Sequence, residues 1–223
     1  MSCLRLLLLP AVCFIGSGRA DSSRADEPQP SRLRRADCFF GVHFDFHAQM
    51  DDGTLGGNTT VELVNAIIDT CHPDYIEIDT KGHPGVSSYP TKIGNHANRF
   101  VGDPLRVWRE VTARRGVSLY AHYSGIWDNR ALELHPDWGR ELADGSRDQQ
   151  NISVFGSYPE RLLIPQLTEL ATDYGLDGTW VDGDIWRAAV DHCDAAQQAF
   201  TAATGIEQIP HSPADPHWHA WCD

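Results

Sequence analysis

The segment that decides the fold is YGLDGTWVDGDIW, residues 174–186. It predicts, in order, a helix end at Gly175, a short buried strand over residues 179–181 and a sharp glycine turn directly after the strand. Asp182 would then lie at the carboxyl end of that strand, and Trp180 lies two positions before it. In a parallel sheet this end of a strand is where site residues collect. The alternative is that Asp182 only caps the helix that follows.

The rest of the chain repeats the same strand–helix unit. Apolar and β-branched runs predict three further strands, at residues 38–47, 75–79 and 117–123. We expect the first of them to be a fully buried parallel strand. The helices predicted after the four strands are residues 59–71, 105–115, 159–174 and 187–204. Pro165 is expected to bend the third helix or to delay its start.

Four strand–helix units predict a parallel α/β sheet. Since no glycine-rich phosphate loop follows the first strand, a (β/α)8 TIM barrel is favoured over a doubly wound sheet. About four of the eight units of such a barrel are present in the 223 residues, so we expect a truncated barrel. Residues 38–223 are interpreted as a partial catalytic domain of this type.

The first 37 residues are expected to lie outside that domain. Residues 1–20 resemble a secretory signal peptide, with a basic start, an apolar core and small residues at its exit. Residues 21–37 are rich in Ser, Arg, Asp and Pro and are predicted to be a disordered leader. We therefore expect an exported protein, periplasmic or extracellular. The apolar run is too short to span a bilayer, which argues against membrane insertion.

Charge and cysteine content narrow the partners further. The net charge of −13 disfavours nucleic acid and anionic membranes, and neutral carbohydrates fit it better. Four cysteines follow the leader, Cys38, Cys71, Cys193 and Cys222. Their spacing matches no zinc motif; the four could form two disulfides, and Cys38 and Cys71 could equally be free buried thiols. No cofactor is indicated, and the oligomeric state does not follow from the sequence.

Polar and aromatic residues follow all four predicted strands, which predicts one shared site. A carboxylate beside an indole ring is suited to carbohydrate, because the ring covers the apolar face of a pyranose while the carboxylate meets charge at the anomeric carbon. The candidate substrate-binding residues are His43, Asp45, Glu77, Asp79, His83, His122, Tyr123, Trp127, Trp180 and Asp184, with Asp182 as the catalytic candidate.

Several of these stretches resemble the retaining α-L-fucosidases. Residues 114–124, with Trp127 soon after, are similar to the region of the third strand in that family. Residues 158–182 contain Gln-Leu-Thr-Glu-Leu, then Tyr-Gly, then Trp-Val-Asp-Gly, and are similar to the nucleophile segment of the family. Residues 40–42 resemble its first strand, and residues 80–85 resemble its second-strand histidine loop.

The resemblance implies an exported retaining glycoside hydrolase with Asp182 as the nucleophile. It also implies that His83 is the second of a pair of substrate-binding histidines, although Gly82 stands in the first position. Asp45 stands where the family has a first-strand histidine, so the sugar need not be fucose. We expect the acid/base carboxyl, which retaining enzymes hold about 5 Å from the nucleophile, beyond residue 223.

Two other interpretations remain open. The pattern His43-x-Asp45-x-His47 predicts three side chains on one strand face, as in barrel hydrolases of the amidohydrolase type that bind metal there; His122 could add a ligand. A non-catalytic carbohydrate-binding fragment is the other alternative. The substrate-binding interpretation, without a metal, is preferred at this point.

Overall fold

The computed structural model describes residues 30–182 and 190–223. The strands are β1 (Gly41–Phe44), β2 (Tyr75–Lys81), β3 (Ser118–Ser124), β4 (Gly139–Glu141), β5 (Arg147–Ile152) and β6 (Gly178–Asp182). The α-helices are α1 (Val61–Cys71), α2 (Pro104–Arg115), α3 (Asn129–Leu134), α4 (Ile164–Thr172), α5 (Asp194–Thr204) and α6 (Trp218–Cys222). Short 3-10 turns lie at Arg35–Asp37 and Pro136–Trp138, and a π-helical stretch, Pro159–Leu163, leads directly into α4.

The four strands predicted from the sequence form one parallel sheet in the order β1-β2-β3-β6. Their register aligns His43 with Glu77, Asp79 with His122, and His122 with Trp180. Because side chains alternate across a strand, these five residues share one face of the sheet. The α/β class and the parallel sheet are therefore confirmed.

The opposite face of the sheet is apolar and packs on the helices. Ile76, Ile78, Leu119 and Ala121 from the strands form one buried cluster with side chains of α1, α2 and α4. The sequence dictates the helix ends locally. The hydroxyl of Thr60, one residue later than predicted, accepts a hydrogen bond from the Leu63 amide at 3.1 Å and so caps α1.

The third helix behaves as its proline requires. Pro165 has no amide hydrogen to give to the preceding turn. The segment begins as the π-helical stretch Pro159–Leu163 and becomes α-helical only from Ile164. Leu162 is buried in a second apolar cluster with Ile126, Trp138 and Tyr158.

The segment between β3 and the third helix, for which the sequence predicts neither strand nor helix, is structured. It contains α3 and an antiparallel hairpin of β4 and β5. The sequence of β5, Arg-Asp-Gln-Gln-Asn-Ile, is almost wholly polar, so it lacks the alternation of apolar and polar residues from which a strand is predicted. Ile152 is buried in the second apolar cluster, and this tertiary packing stabilises the strand although the local sequence pattern does not predict it.

Strand β1 differs from the expectation of a long, fully buried strand. It has four residues, and within the described part of the chain it pairs only with β2. As a result Phe39 is 98% exposed, and Phe40 and Phe46 are also exposed. Asp45 and His47 lie in the loop after the strand rather than on it.

Two other boundaries also need correction. The end of the predicted leader, residues 30–37, is docked on the domain: Arg32 pairs with Asp177 at 2.8 Å, and the guanidinium of Arg35 lies over the ring of Tyr75. Helix α5 begins at Asp194, so residues 190–193 of the predicted helix are not helical; there the Asp191 carboxylate accepts the Cys193 amide at 3.0 Å. The predicted signal peptide, residues 1–20, lies outside the described residues.

The four cysteines after the leader are free thiols, so they do not form the two disulfides that the sequence allows. Over the ranges described, no helix has both the length and the apolar character needed to cross a membrane.

Candidate active site

The site is the polar face of the sheet at the carboxyl ends of β1, β2, β3 and β6, and His122 is its centre. The ring of His122 is 1% exposed. Its Nε2 lies 3.2 Å from Asp182 Oδ2, and its Nδ1 lies 3.2 Å from Asp79 Oδ1. A single imidazole thus stands between two carboxylates.

Asp182 is the last residue of β6. Its backbone carbonyl accepts a hydrogen bond from the Gly125 amide at 2.5 Å, which ties the strand end to the end of β3. The side chain remains 27% exposed, so a solute can reach it. The indole of Trp180, on the same face, stacks on His122 with ring centroids 5.0 Å apart. The predicted neighbourhood of Asp182 and Trp180 is therefore present.

The protonation of His122 follows from its neighbours. Burial lowers the pKa of the His122 imidazole, but the carboxylates of Asp79 and Asp182 raise it more, to a pKa of about 9. In the absence of any other cation the ring is an imidazolium at neutral pH, and its Nε2 donates to Asp182.

Asp79 is buried without hydrogen bonds to its carboxylate. The side chain is fully buried, and neither carboxylate oxygen has a hydrogen-bond partner in the part of the chain that the structure describes. The approach to His122 Nδ1 is close but lacks the angle of a hydrogen bond, and Nδ1 is likewise without a hydrogen-bond partner among those residues. Burial raises the pKa of the Asp79 carboxyl.

A bulge in β2 separates Asp79 from the next residues. The register with β3 shifts between Asp79 and Lys81. Because of this shift Lys81 pairs with Tyr123 in the register and its side chain leaves the site, while Asp79 stays on the polar face. The Lys81 ammonium is buried and contacts Asp128 Oδ2 at 2.5 Å and the Tyr158 hydroxyl at 2.8 Å.

The amino side of the site is formed by His43 and Glu77. Nδ1 of His43 lies 2.6 Å from Glu77 Oε1, so the ring donates to the carboxylate. The His43 ring lies 5.0 Å from His122 and meets Trp180 edge-on at 5.5 Å. Both predicted residues are thus brought into the same cluster as Asp182.

The opposite side is formed by the loops after β2 and β3. The ring of His83 stacks on the indole of Trp127, with centroids 4.4 Å apart and planes 7° apart. Ser124 donates its one hydroxyl hydrogen to the Trp127 carbonyl at 2.7 Å. His83 Nδ1, 2.7 Å from the same hydroxyl oxygen, must therefore be the donor of that contact. The predicted residues His83 and Trp127 thus form one flat wall of the site.

Gly82 explains how the loop differs from a paired-histidine loop. A side chain at position 82 would collide with the ring of His47. His47 comes from the loop after β1, and its ring lies 4.9 Å from that of His83. A histidine therefore lies beside His83 in space, although it comes from another part of the chain.

The structure does not bring every predicted residue to the site. Tyr123 is on the helix-packed face, fully buried, and its hydroxyl donates to Gln166 Oε1 at 2.8 Å. The prediction that Tyr123 contacts substrate is therefore corrected. Side chains alternate along a strand, so Tyr123 faces away from the site because its neighbour His122 faces it. Asp184 lies outside the described residues. Asp45, exposed at the rim, lies 3.0 Å from His47 Nε2.

Ser124 is a site residue that the sequence did not single out. It is in register with Asp182 across β3 and β6, and it faces the site by the same alternation as His122. The even spacing between His122 and Ser124 along the strand is the sequence feature that predicts this position. The bulge after Asp79, by contrast, has no signature in the sequence.

Comparison with known proteins adds a fold relationship. No protein-family model and no curated protein matches the chain. Among solved structures, α-L-fucosidase isoenzyme 2 from Paenibacillus thiaminolyticus matches with a TM-score of 0.64 at 21% identity, over 85% of this chain and 28% of that chain.

Two further matches are weaker. An α-L-fucosidase from Vibrio sp. strain EJY3 matches with a TM-score of 0.44 at 21% identity, over 67% of this chain and 25% of that chain. A hypothetical protein from Ruminiclostridium thermocellum ATCC 27405 has a TM-score of 0.48 at 13% identity, over 64% of this chain and 75% of that chain.

The chain thus spans about 28% of the length of the Paenibacillus fucosidase. At this level of identity the likeness concerns the fold. The resemblance noted in the sequence is confirmed at that level: the chain has the fold of part of an α-L-fucosidase.

Proposed function

We propose that this chain is the nucleophile-bearing part of an exported, retaining glycoside hydrolase similar to α-L-fucosidases, built on a (β/α)8 barrel, with Asp182 as the nucleophile. The observation that carries the proposal is the position of Asp182 at the end of β6, hydrogen-bonded to His122 and next to Trp180. The fold likeness to the Paenibacillus fucosidase supports the same class of enzyme.

The chemistry requires an ionised, oriented carboxylate. In a retaining glycosidase the nucleophile attacks the anomeric carbon, the aglycone oxygen leaves, and water later hydrolyses the glycosyl ester. The hydrogen bond from His122 to Asp182 favours the carboxylate form and orients it for the attack on the anomeric carbon.

Two aromatic surfaces in the site suit a sugar ring. Trp180 is 43% exposed and fixed by its stack on His122. The stacked rings of His83 and Trp127, from the loops after β2 and β3, form the second surface. Flat, partly exposed rings cover the apolar faces of a pyranose, and the neighbouring polar groups give directions for its hydroxyls.

The test uses 4-nitrophenyl α-L-fucopyranoside and the complete chain. Nitrophenolate is a good leaving group and needs little help from an acid, so the first step reports on the nucleophile. We expect release of nitrophenolate and a glycosyl ester on Asp182 detectable by mass spectrometry of a quenched reaction. Asp182→Ala should lower kcat/KM by at least about a thousandfold, with partial recovery in azide.

A matched control separates this role from general charge. Asp69 is an exposed carboxylate paired with Arg115, away from the site, so Asp69→Ala should keep the wild-type rate. Turnover by Asp182→Ala at the wild-type rate would refute the nucleophile assignment. Binding of the fucoside without any ester or product would instead support a non-catalytic carbohydrate-binding protein.

A further inference from the structure

Beside Asp182, four side chains converge on one point, and of the four the proposed glycoside chemistry uses only His122, through its other ring nitrogen. They are Asp45, His47, Asp79 and His122, and one potential ligand atom from each lies within 4.8 Å of all the others. We propose that this group, called the His2Asp2 group below, binds a first-row divalent cation of the Zn²⁺ type. The inference goes beyond the proposed function and holds whether or not the chain cleaves glycosides.

The spacing of the atoms is that of ligands around one ion. Two ligands bound to zinc at about 2.0–2.2 Å with a tetrahedral angle lie about 3.3–3.6 Å apart. His122 Nδ1 lies 3.2 Å from Asp79 Oδ1 and 3.7 Å from Asp45 Oδ1. Asp45 Oδ1 lies 3.0 Å from His47 Nε2. Three edges of the group therefore match within about half an ångström.

The second, independent observation is that the two buried members of the group make no hydrogen bonds with the atoms that face its centre. The side chains of Asp79 and His122 are at most 1% exposed, and Asp79 Oδ1 and Oδ2 and His122 Nδ1 have no hydrogen bond within residues 30–182 and 190–223. A buried carboxylate that accepts no hydrogen bond is costly, and a metal ion between Asp79 and His122 would compensate it as the His122 proton otherwise does. A metal ion at this point satisfies all three atoms at once.

Charge points the same way. Asp45 and Asp79 contribute two carboxylates, and neither makes an ion pair with a lysine or arginine of the described ranges. The two imidazoles and two carboxylates form a mixed nitrogen–oxygen set, which suits zinc and its first-row neighbours better than Mg²⁺ or Ca²⁺. Asp45 and His47 are on the solvent side, which provides an entry path for the ion.

His122 would connect the ion to Asp182. With Nδ1 bound to the metal, the imidazole proton resides on Nε2 and is donated to Asp182 Oδ2, at 3.2 Å. Metal-binding histidines typically give their other N–H to a carboxylate in this way, which fixes the ring and its tautomer. Asp182 is thus the outer partner of the metal site as well as the proposed nucleophile.

The membership of the group differs from the strand pattern His43-x-Asp45-x-His47. His43 is on β1 and gives its Nδ1 to Glu77 at 2.6 Å. His43 is therefore not a member of the group, whose remaining ligands are Asp79 of β2 and His122 of β3. This difference makes His43 the matched control for the experiment.

The experiment measures zinc binding by the complete, chelator-stripped chain, with Zn²⁺ as the only added ligand and a chromogenic chelator as competitor. We expect one tight equivalent per chain. Asp79→Asn and His122→Gln should each weaken it by at least about tenfold, and Asp182→Asn should weaken it about 10–100-fold through His122. His43→Gln should bind as the wild type does.

Two safeguards keep the result decisive if a core variant fails to fold. Asp45→Asn changes an exposed side chain, so it should fold and still lose at least about tenfold in affinity. Co²⁺ added to the wild type should give the strong visible absorption of four-coordinate cobalt, and Asp45→Asn should reduce it. Equal zinc affinity in the wild type and Asp45→Asn, or equal losses in Asp45→Asn and His43→Gln, would overturn the proposal.

Discussion

The buried pair of Lys81 and Asp128 gives the most quantitative prediction, because it holds the loop that forms one wall of the site. Lys81 Nζ contacts Asp128 Oδ2 at 2.5 Å, and both side chains are at most 1% exposed. Tyr158 donates its hydroxyl to the Gly125 carbonyl at 2.9 Å and lies 3.1 Å from the same Asp128 oxygen. Asp128 also caps α3 by accepting the Ala131 amide at 2.8 Å.

Asp128→Asn removes the counter-charge and leaves the ammonium of Lys81 buried beside the neutral hydroxyl of Tyr158. Removal of one member of a buried ion pair costs about 3–5 kcal/mol of unfolding free energy. The cap of α3 is largely kept by asparagine, so we expect a loss near that range. The double variant Lys81→Met/Asp128→Asn should recover part of it, because no buried charge remains.

The pH dependence of the single variant identifies the cause. Burial lowers the pKa of Lys81 even beside Asp128, and without the carboxylate the folded-state pKa falls further. The unfolded state then binds one proton more than the folded state between this pKa and about 10.4. Stability must therefore rise with pH over that window, by up to about 1.4 kcal/mol per pH unit.

Urea unfolding at several pH values, followed by circular dichroism, measures both quantities. A loss of less than about 1 kcal/mol, with no rise in stability toward alkaline pH, would refute the reasoning that Lys81 is buried and needs Asp128. Equal stability of the single and the double variant would show that the destabilisation comes from the cap or from packing.

Two further predictions concern residues outside the site. Burial raises the pKa of Asp177, but hydrogen bonds from Arg109, the Leu119 amide and Arg32 lower it below its ordinary value, so the carboxylate stabilises the fold above the unfolded pKa and the effect is lost as pH falls below about 4. Melting temperatures from pH 2 to 7 should fall more steeply on acidification for the wild type than for Asp177→Asn; parallel curves would contradict this. Tyr123→Phe should cost about 0.5–1.5 kcal/mol in urea unfolding and leave fucoside binding unchanged, because its hydroxyl contacts Gln166 on the helix-packed face; weakened binding at unchanged stability would restore its predicted role.

Much of the fold can be predicted from the sequence because its signals are local. The apolar runs before Asp79 and His122 and the glycine pair around Leu176 mark the strands, and caps such as Thr60 mark the helices within a residue. The hairpin of β4 and β5 could not be predicted, since its polar strands are held by packing that only the folded chain provides.

Only part of the site can be predicted from the sequence, and the reason differs from that for the hairpin. Strand ends identify which residues approach the site edge, but the face of each side chain depends on parity and on irregularities of the sheet. Simple alternation separates His122 from Tyr123. The bulge between Asp79 and Lys81 then breaks the alternation, so that a carboxylate stays in the site while the next charged side chain is buried behind it. No local pattern indicates that bulge.

His122 is the point at which the two proposals meet. Its Nε2 faces the proposed nucleophile and its Nδ1 faces the His2Asp2 group. When Nδ1 holds a proton the ring is an imidazolium between two carboxylates; when it holds a metal ion, the ring donates the same hydrogen bond to Asp182 from a fixed tautomer. In both states Asp182 keeps its donor, while the charge that compensates buried Asp79 changes from a proton to a metal ion. The arrangement therefore allows a metal ion to stabilise the buried end of the site without displacing the group that orients the nucleophile.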